Sequence, residues 1–85
     1  MKEDWFVYLV RCSDKSLYCG ISTNVQRRVK EHNFSKKGAK YTRSRRPVSL
    51  VGFLRVNNRS EAQKLEFKIK KMKRENKLKF FELDN

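Results

Sequence analysis

At 85 residues the chain has room for one domain and one modest core, which buries roughly 60% of the surface an unfolded chain of this size exposes. Lys and Arg number 22 against 9 Asp and Glu, a formal net charge of +13, and no apolar run approaches the roughly 18 residues of a membrane span. The missing apolar run argues against a membrane span, and the basic balance favours a polyanion partner, nucleic acid ahead of an anionic bilayer.

The first predicted element is a strand over "WFVYLVRC" (5–12), aromatic and β-branched, followed by turn residues "SDKS" (13–16) and a second strand "LYCGIS" (17–22). Gly20 marks a bulge or a close backbone approach. The hairpin register stays open. Pairing Cys12 with Leu17 puts Tyr8 and Tyr18 on opposite faces, whereas pairing Ser13 with Leu17 around Asp14-Lys15-Ser16 puts them on the same face. The second arrangement needs a left-handed residue, and Lys15 is a poor substitute for glycine there.

"TNVQRRVKEH" (23–32) opens with a capping box, Thr23 to Gln26, so the sequence predicts a helix. Val25, Arg28, Val29 and His32 recur at i, i+3, i+4 and i+7, which carries Arg28 and His32 toward the sheet. The stretch 33–47 reads as a loop with Lys36, Lys37, Lys40, Arg43, Arg45 and Arg46, and with Phe34 and Tyr41 interleaved. "VSLVGFLRV" (48–56) is a third strand, apolar enough to lie centrally. A second capping box, Ser60 to Gln63, opens a helix over 60–73 with Ala62, Leu65, Ile69 and Met72 as its core stripe. A short last helix over 74–83 packs Leu78 and Phe81 inward. The order is β-β-α-β-α(α), an α/β domain over 1–85 with its core at about 5–80.

Charge is unevenly placed along this order. Residues 1–25 are balanced, residues 26–46 hold 9 basic residues against Glu31 alone, and residues 59–79 hold 9 more against Glu61, Glu66 and Glu75. Dense basic runs with an interleaved aromatic track a phosphate backbone, so Lys37, Lys40, Tyr41, Thr42, Arg43, Arg45 and Arg46 are the candidate nucleic-acid contacts. About six such contacts imply roughly a thousandfold loss of affinity between 50 and 200 mM salt. Cys12 and Cys19 match no zinc module; without an apolar leader they are expected to be reduced, buried thiols in a cytoplasmic protein.

The ordered set Val7-Tyr8-Leu9, Tyr18-Cys19-Gly20, Arg28, His32 and Glu66 resembles the GIY-YIG nuclease superfamily. The segments "EHN", "GAKYTRSRRPVSLV" and "RSEA" are similar to its small stand-alone bacterial branch. Both tripeptides depart from the family pattern at packing positions, with Cys19 standing where the second has isoleucine. The resemblance implies a small central three-stranded, mainly antiparallel sheet flanked by helices. It also implies a metal-dependent DNA endonuclease, sequence-nonspecific or structure-selective, serving DNA repair or processing, with DNA as partner, RNA as a further binding partner and a protein partner for targeting. In that chemistry Glu66 holds one Mg²⁺ or Mn²⁺ and Arg28 bridges phosphate oxygens. Tyr8 orients or deprotonates the water and Tyr18 contacts the scissile phosphate, or the reverse, and His32 assists proton transfer or binds phosphate. A free tyrosine titrates at about 10, so a base role needs cations such as Arg28 to lower it. The alternatives are a catalytically weak or silent DNA-binding module and a binder of structured RNA; neither needs the four residues Tyr8, Tyr18, Arg28 and Glu66 in this order.

Overall fold

A computed structural model describes residues 4–82 and contains seven elements among them. These are β1 (Trp5–Arg11), β2 (Leu17–Ser22), α1 (Val25–Phe34), α2 (Lys40–Arg43), β3 (Ser49–Val56), α3 (Arg59–Lys70) and α4 (Arg74–Glu82). The three strands form one antiparallel sheet in the order β2-β1-β3. The expected fold is therefore present. The expected place of the third strand is not: β1 is central and β3 lies at an edge. The reason is visible in burial. Val7, Tyr8, Leu9 and Val10 are all buried, the two-sided pattern of a central strand, whereas Leu50 and Phe53 of β3 are 40% and 45% exposed.

Alternation along β1 divides the core in two. Val7 and Leu9 pack with Cys19, Ala62, Ile69 and Phe81 beneath α3 and α4, and Leu78 joins them as predicted. Tyr8 and Val10 pack with Cys12, Val25 and Val48 beneath α1, with Tyr18 and Val29 at the margin. Each fully buried aliphatic side chain here contributes about 1.5–3 kcal/mol. Both cysteines are free and buried.

The hairpin uses a three-residue loop, one residue earlier than the arrangement drawn from sequence. Cys12 faces Ser16 around Ser13-Asp14-Lys15: the Cys12 N–H donates to Ser16 O at 2.8 Å and the Lys15 N–H donates to Cys12 O at 2.9 Å. Lys15 takes the left-handed position at φ 70°. The Asp14 carboxylate holds the turn by accepting from the Ser16 N–H at 3.0 Å. With Val10 opposite Tyr18 and Tyr8 opposite Gly20, both tyrosines fall on the α1 face.

Helix starts also shift. Asn24, not Thr23, caps α1 by accepting the Arg27 N–H at 3.0 Å, and Asn58, not Ser60, caps α3 by accepting the Glu61 N–H at 2.9 Å. Asparagine caps at least as well as serine or threonine, and each lies one or two residues from the expected cap. Residues 40–43, expected as loop, form the single turn α2.

Candidate active site

The site starts from a missing side chain. Gly20 of β2 sits directly across from Tyr8 of β1, and the phenol ring of Tyr8 lies over it. A methyl group placed on Gly20 would fall 2.6 Å from Tyr8 Cζ and closer still to Oη. Glycine is thus the space that lets a tyrosine lie flat across a strand pair, 1% exposed, and reach the helix above.

That helix supplies His32, whose Nε2 lies 2.7 Å from Tyr8 Oη. The predicted stripe on α1 is what delivers it: Val25 and His32 are buried, and Arg28 and Val29 are half-buried. The Ala39 N–H donates to His32 Nδ1 at 3.2 Å, and Thr42 Oγ1 lies 3.0 Å from the same nitrogen. A backbone N–H only donates, so Nδ1 is the accepting nitrogen of a neutral ring and the proton resides on Nε2. His32 therefore donates to Tyr8. Burial, reinforced by the Arg28 cation, lowers the His32 pKa to about 4, so the ring stays neutral at physiological pH.

Tyr8 is moved the opposite way from the expectation. Burial raises its phenol well above the usual tyrosine range and the nearby Tyr18 adds to the rise, while the Arg28 guanidinium, within hydrogen-bonding reach, pulls against both without prevailing. Desolvation of a phenolate beneath a helix outweighs one partly solvated cation. Arg28 is itself held in place, donating through Nη1 to Glu31 Oε1 at 2.9 Å and to the Lys37 carbonyl at 2.7 Å. Glu31, read from sequence only as the lone acidic residue of 26–46, is thus the counter-ion of Arg28, and this hydrogen bond holds its carboxyl below the usual range.

Tyr18, partly exposed, completes the cluster. Its ring meets the edge of His32 at 5.4 Å between centroids and stacks on Tyr41 at 5.9 Å with 20° between planes. Glu66 approaches from the other layer. Because β2 is an edge strand, side chains of α3 can reach around it: the Lys70 ammonium lies 5.7 Å from the Tyr18 ring centre and 3.6 Å from Glu66 Oε2. Glu66 is close enough to β2 to help burial push the Cys19 thiol up to about 12.

The basic segment 36–46 does less at the surface than its composition suggests. Thr42 is fully buried beside His32, so it faces inward rather than toward a ligand. Arg46 caps the end of α1, donating to the carbonyls of His32 at 2.5 Å, Ser35 at 2.5 Å and Glu31 at 3.4 Å. Arg45 lies over Tyr41 and pairs with Asp14, and Arg43 donates to the Lys36 carbonyl at 2.9 Å while remaining exposed. Lys37 and Lys40 point outward. A loop with few apolar residues to bury is held down by arginines donating to backbone carbonyls, Arg46 among them at the end of α1, a use that charge counting does not reveal. Gly38 makes this possible, since a Cβ there would fall 2.7 Å from the Glu31 carbonyl oxygen.

His32 also makes the fold acid-sensitive. Its folded pKa of about 4 lies below the usual value of 6.5, so the unfolded chain binds the proton first as pH falls. Stability is full above about pH 6.5 and declines through pH 4, by up to about 3 kcal/mol from this group. Denaturant titrations across that window should show the decline in the wild type and a much flatter profile for His32→Gln. Parallel profiles would assign the acid sensitivity elsewhere.

The GIY-YIG catalytic domain family model matches residues 4–79 of this chain. Among curated relatives, the UPF0213 protein DP2720 of Desulfotalea psychrophila is 59% identical over 68 residues, covering 80% of this chain and 62% of that protein, so the match spans less than two thirds of the relative's length. The UPF0213 protein SH2523 of Staphylococcus haemolyticus is 49% identical over 77 residues, covering 91% of this chain and 93% of that protein. The solution NMR structure of the UPF0213 protein BH0048 from Bacillus halodurans superposes with a TM-score of 0.56 at 40% identity, covering 91% of this chain and 81% of that one.

Proposed function

The chain belongs to the GIY-YIG domain family, a nuclease family, and from that membership we propose that it is a metal-dependent DNA endonuclease acting without sequence specificity, or selectively on DNA structure, in repair or processing. The observation that carries this is the convergence of Tyr8, His32, Arg28 and Tyr18 in one contacting cluster, beside which Glu66 stands at the β2 edge. A plain nucleic-acid binder has no use for a buried tyrosine hydrogen-bonded to a buried histidine that also meets a partly exposed tyrosine.

Roles follow from exposure. Tyr18 is the tyrosine that meets substrate and handles the water, because Tyr8 is 1% exposed. Tyr8 keeps its proton and, held by the His32 Nε2–H, forms the buried base of the cluster. Neutral His32 acts as a donor rather than as a proton acceptor. The planar fork of Arg28 binds the scissile phosphate, with Glu31 keeping it aimed.

The donor set also fits a divalent cation. Among the described residues no group of three or more His, Cys, Asp or Glu forms an all-protein cage, and Glu66 offers one carboxylate with the half-exposed Lys70 as its ion partner. Such a set suits Mg²⁺ or Mn²⁺, hard ions that fill their shells with water and phosphate oxygens. When bound, the ion would supply charge neutralisation at the leaving oxygen.

The test is incubation with supercoiled, single-stranded and branched DNA in Mg²⁺ or Mn²⁺, comparing wild type with Arg28→Ala. Nicking by wild type and its loss in the variant is the expected result. Tight binding without cutting by wild type in either metal would replace the enzyme with a binding module. No helix among the described residues is long and apolar enough to cross a membrane, and the exposed cations of the 36–43 stretch face a nucleic-acid backbone in our reading. With Arg45 and Arg46 engaged internally, Lys36, Lys37, Lys40 and Arg43 make about four phosphate contacts. Affinity should then fall roughly a hundredfold between 50 and 200 mM salt, with a log–log slope near −4. A slope of about −6 would return both arginines to the interface.

A further inference from the structure

We propose that Tyr41 is a positioning residue for Tyr18, clamped in place by Arg45 and Asp14; this rests on the nuclease reading of the site. Tyr18 extends from an edge strand, so the sheet alone leaves its ring free to swing. Two rings limit it on the α1 side: the edge of His32 at 5.4 Å and the near-parallel face of Tyr41 at 5.9 Å. Both distances fall in the range of attractive aromatic pairs.

Tyr41 is fixed in turn. The Arg45 guanidinium carbon lies 3.9 Å from its ring centre, inside cation–π range, and Arg45 Nη1 donates to the Tyr41 carbonyl at 2.8 Å. Arg45 is anchored to the hairpin turn, where Nε pairs with Asp14 Oδ2 at 3.1 Å and its carbonyl accepts the Ser13 N–H at 2.9 Å. The turn joining the strands of Tyr8 and Tyr18 thus grips the segment that stacks on Tyr18. Tyr41 is 39% exposed with a ring and a guanidinium already against it, which suits a brace better than a platform for a base. A reacting group misplaced by about 1 Å loses on the order of a hundredfold in rate, and that is the scale on which a brace acts.

The experiment measures kcat, KM and DNA affinity for Tyr41→Ala, Tyr41→Phe and Arg45→Gln, with the Tyr18 ring proton shifts read by NMR. Tyr41→Ala should lower kcat about tenfold to a hundredfold, leave KM and affinity within about twofold, and remove the ring-current shift at Tyr18. Tyr41→Phe should keep the ring-current shift and recover kcat to within about twofold, and Arg45→Gln should fall between. Weaker DNA binding with unchanged kcat would make Tyr41 a ligand contact and overturn the proposal. Unmoved Tyr18 signals in Tyr41→Ala would overturn it as well. A wild type that cuts while Tyr41→Ala cuts equally well removes the brace and leaves the nuclease reading standing. A wild type that cuts nothing removes both.

Discussion

Gly20→Ala is expected to reduce DNA cleavage about a hundredfold and to lower stability by about 1–3 kcal/mol, although the substitution adds only one methyl group. The added carbon would meet Tyr8 Cζ at 2.6 Å, far inside van der Waals contact. An aromatic ring wedged between β2 and α1 cannot yield by a small torsion, so the ring or the strand must move. Movement of Tyr8 pulls Oη away from His32 Nε2, which now lies 2.7 Å from it, and leaves a buried N–H unpaired. It also takes the phenol from beside Arg28. Denaturant unfolding and single-turnover cleavage would measure the two effects. A double-mutant cycle identifies their cause: in a Tyr8→Ala background there is no ring to displace, so the added methyl should be nearly neutral. Equal penalties in both backgrounds would mean that Gly20 matters for the strand and not for the tyrosine.

Glu66→Gln should behave in the opposite way, with a large loss of activity and almost no structural effect. The carboxylate is paired with Lys70 at 3.6 Å, four residues on along α3, and such partly exposed helix pairs contribute about 0.3–0.5 kcal/mol. Glutamine has the same shape, so unfolding free energy should move by no more than about 0.5 kcal/mol and DNA affinity should be retained. Metal-dependent cleavage should fall about a thousandfold, corresponding to about 4 kcal/mol of transition-state stabilisation from metal-held charge. Direct titration of the protein with Mn²⁺ supplies a readout separate from catalysis, and the variant should bind the ion much more weakly. Undiminished cleavage by the variant would take Glu66 out of the reaction altogether.

How much of this was written in the chain differs from residue to residue. The alternation of "FVYLV" and the i, i+3, i+4, i+7 spacing of Val25, Arg28, Val29 and His32 are local patterns, set by backbone geometry over a few residues. The strand and helix order, the helix face carrying Arg28 and His32, the inward packing of Leu78 and Phe81, and the concentration of charge after residue 25 were therefore legible from sequence. Cap positions were legible only to within one or two residues, because Thr23, Asn24, Asn58 and Ser60 are all competent caps and the packing of the helix chooses among them.

What the tertiary structure alone decided involves partners distant in the chain. That Gly20 faces Tyr8 depends on a register set by a left-handed Lys15, a conformation that no propensity favours. That β1 rather than β3 is central depends on β1 pairing with both β2 and β3, and β3 is some forty residues away in sequence. The fate of the basic loop is the clearest case. Composition sees six like charges and assigns them to a polyanion, but the end of α1 leaves carbonyls that need donors, and Arg46 supplies them across 11 to 15 residues of chain. Charge is a property of the residue and can be counted. Whether a cation faces solvent or a carbonyl depends on where the chain returns, and only the folded structure contains that.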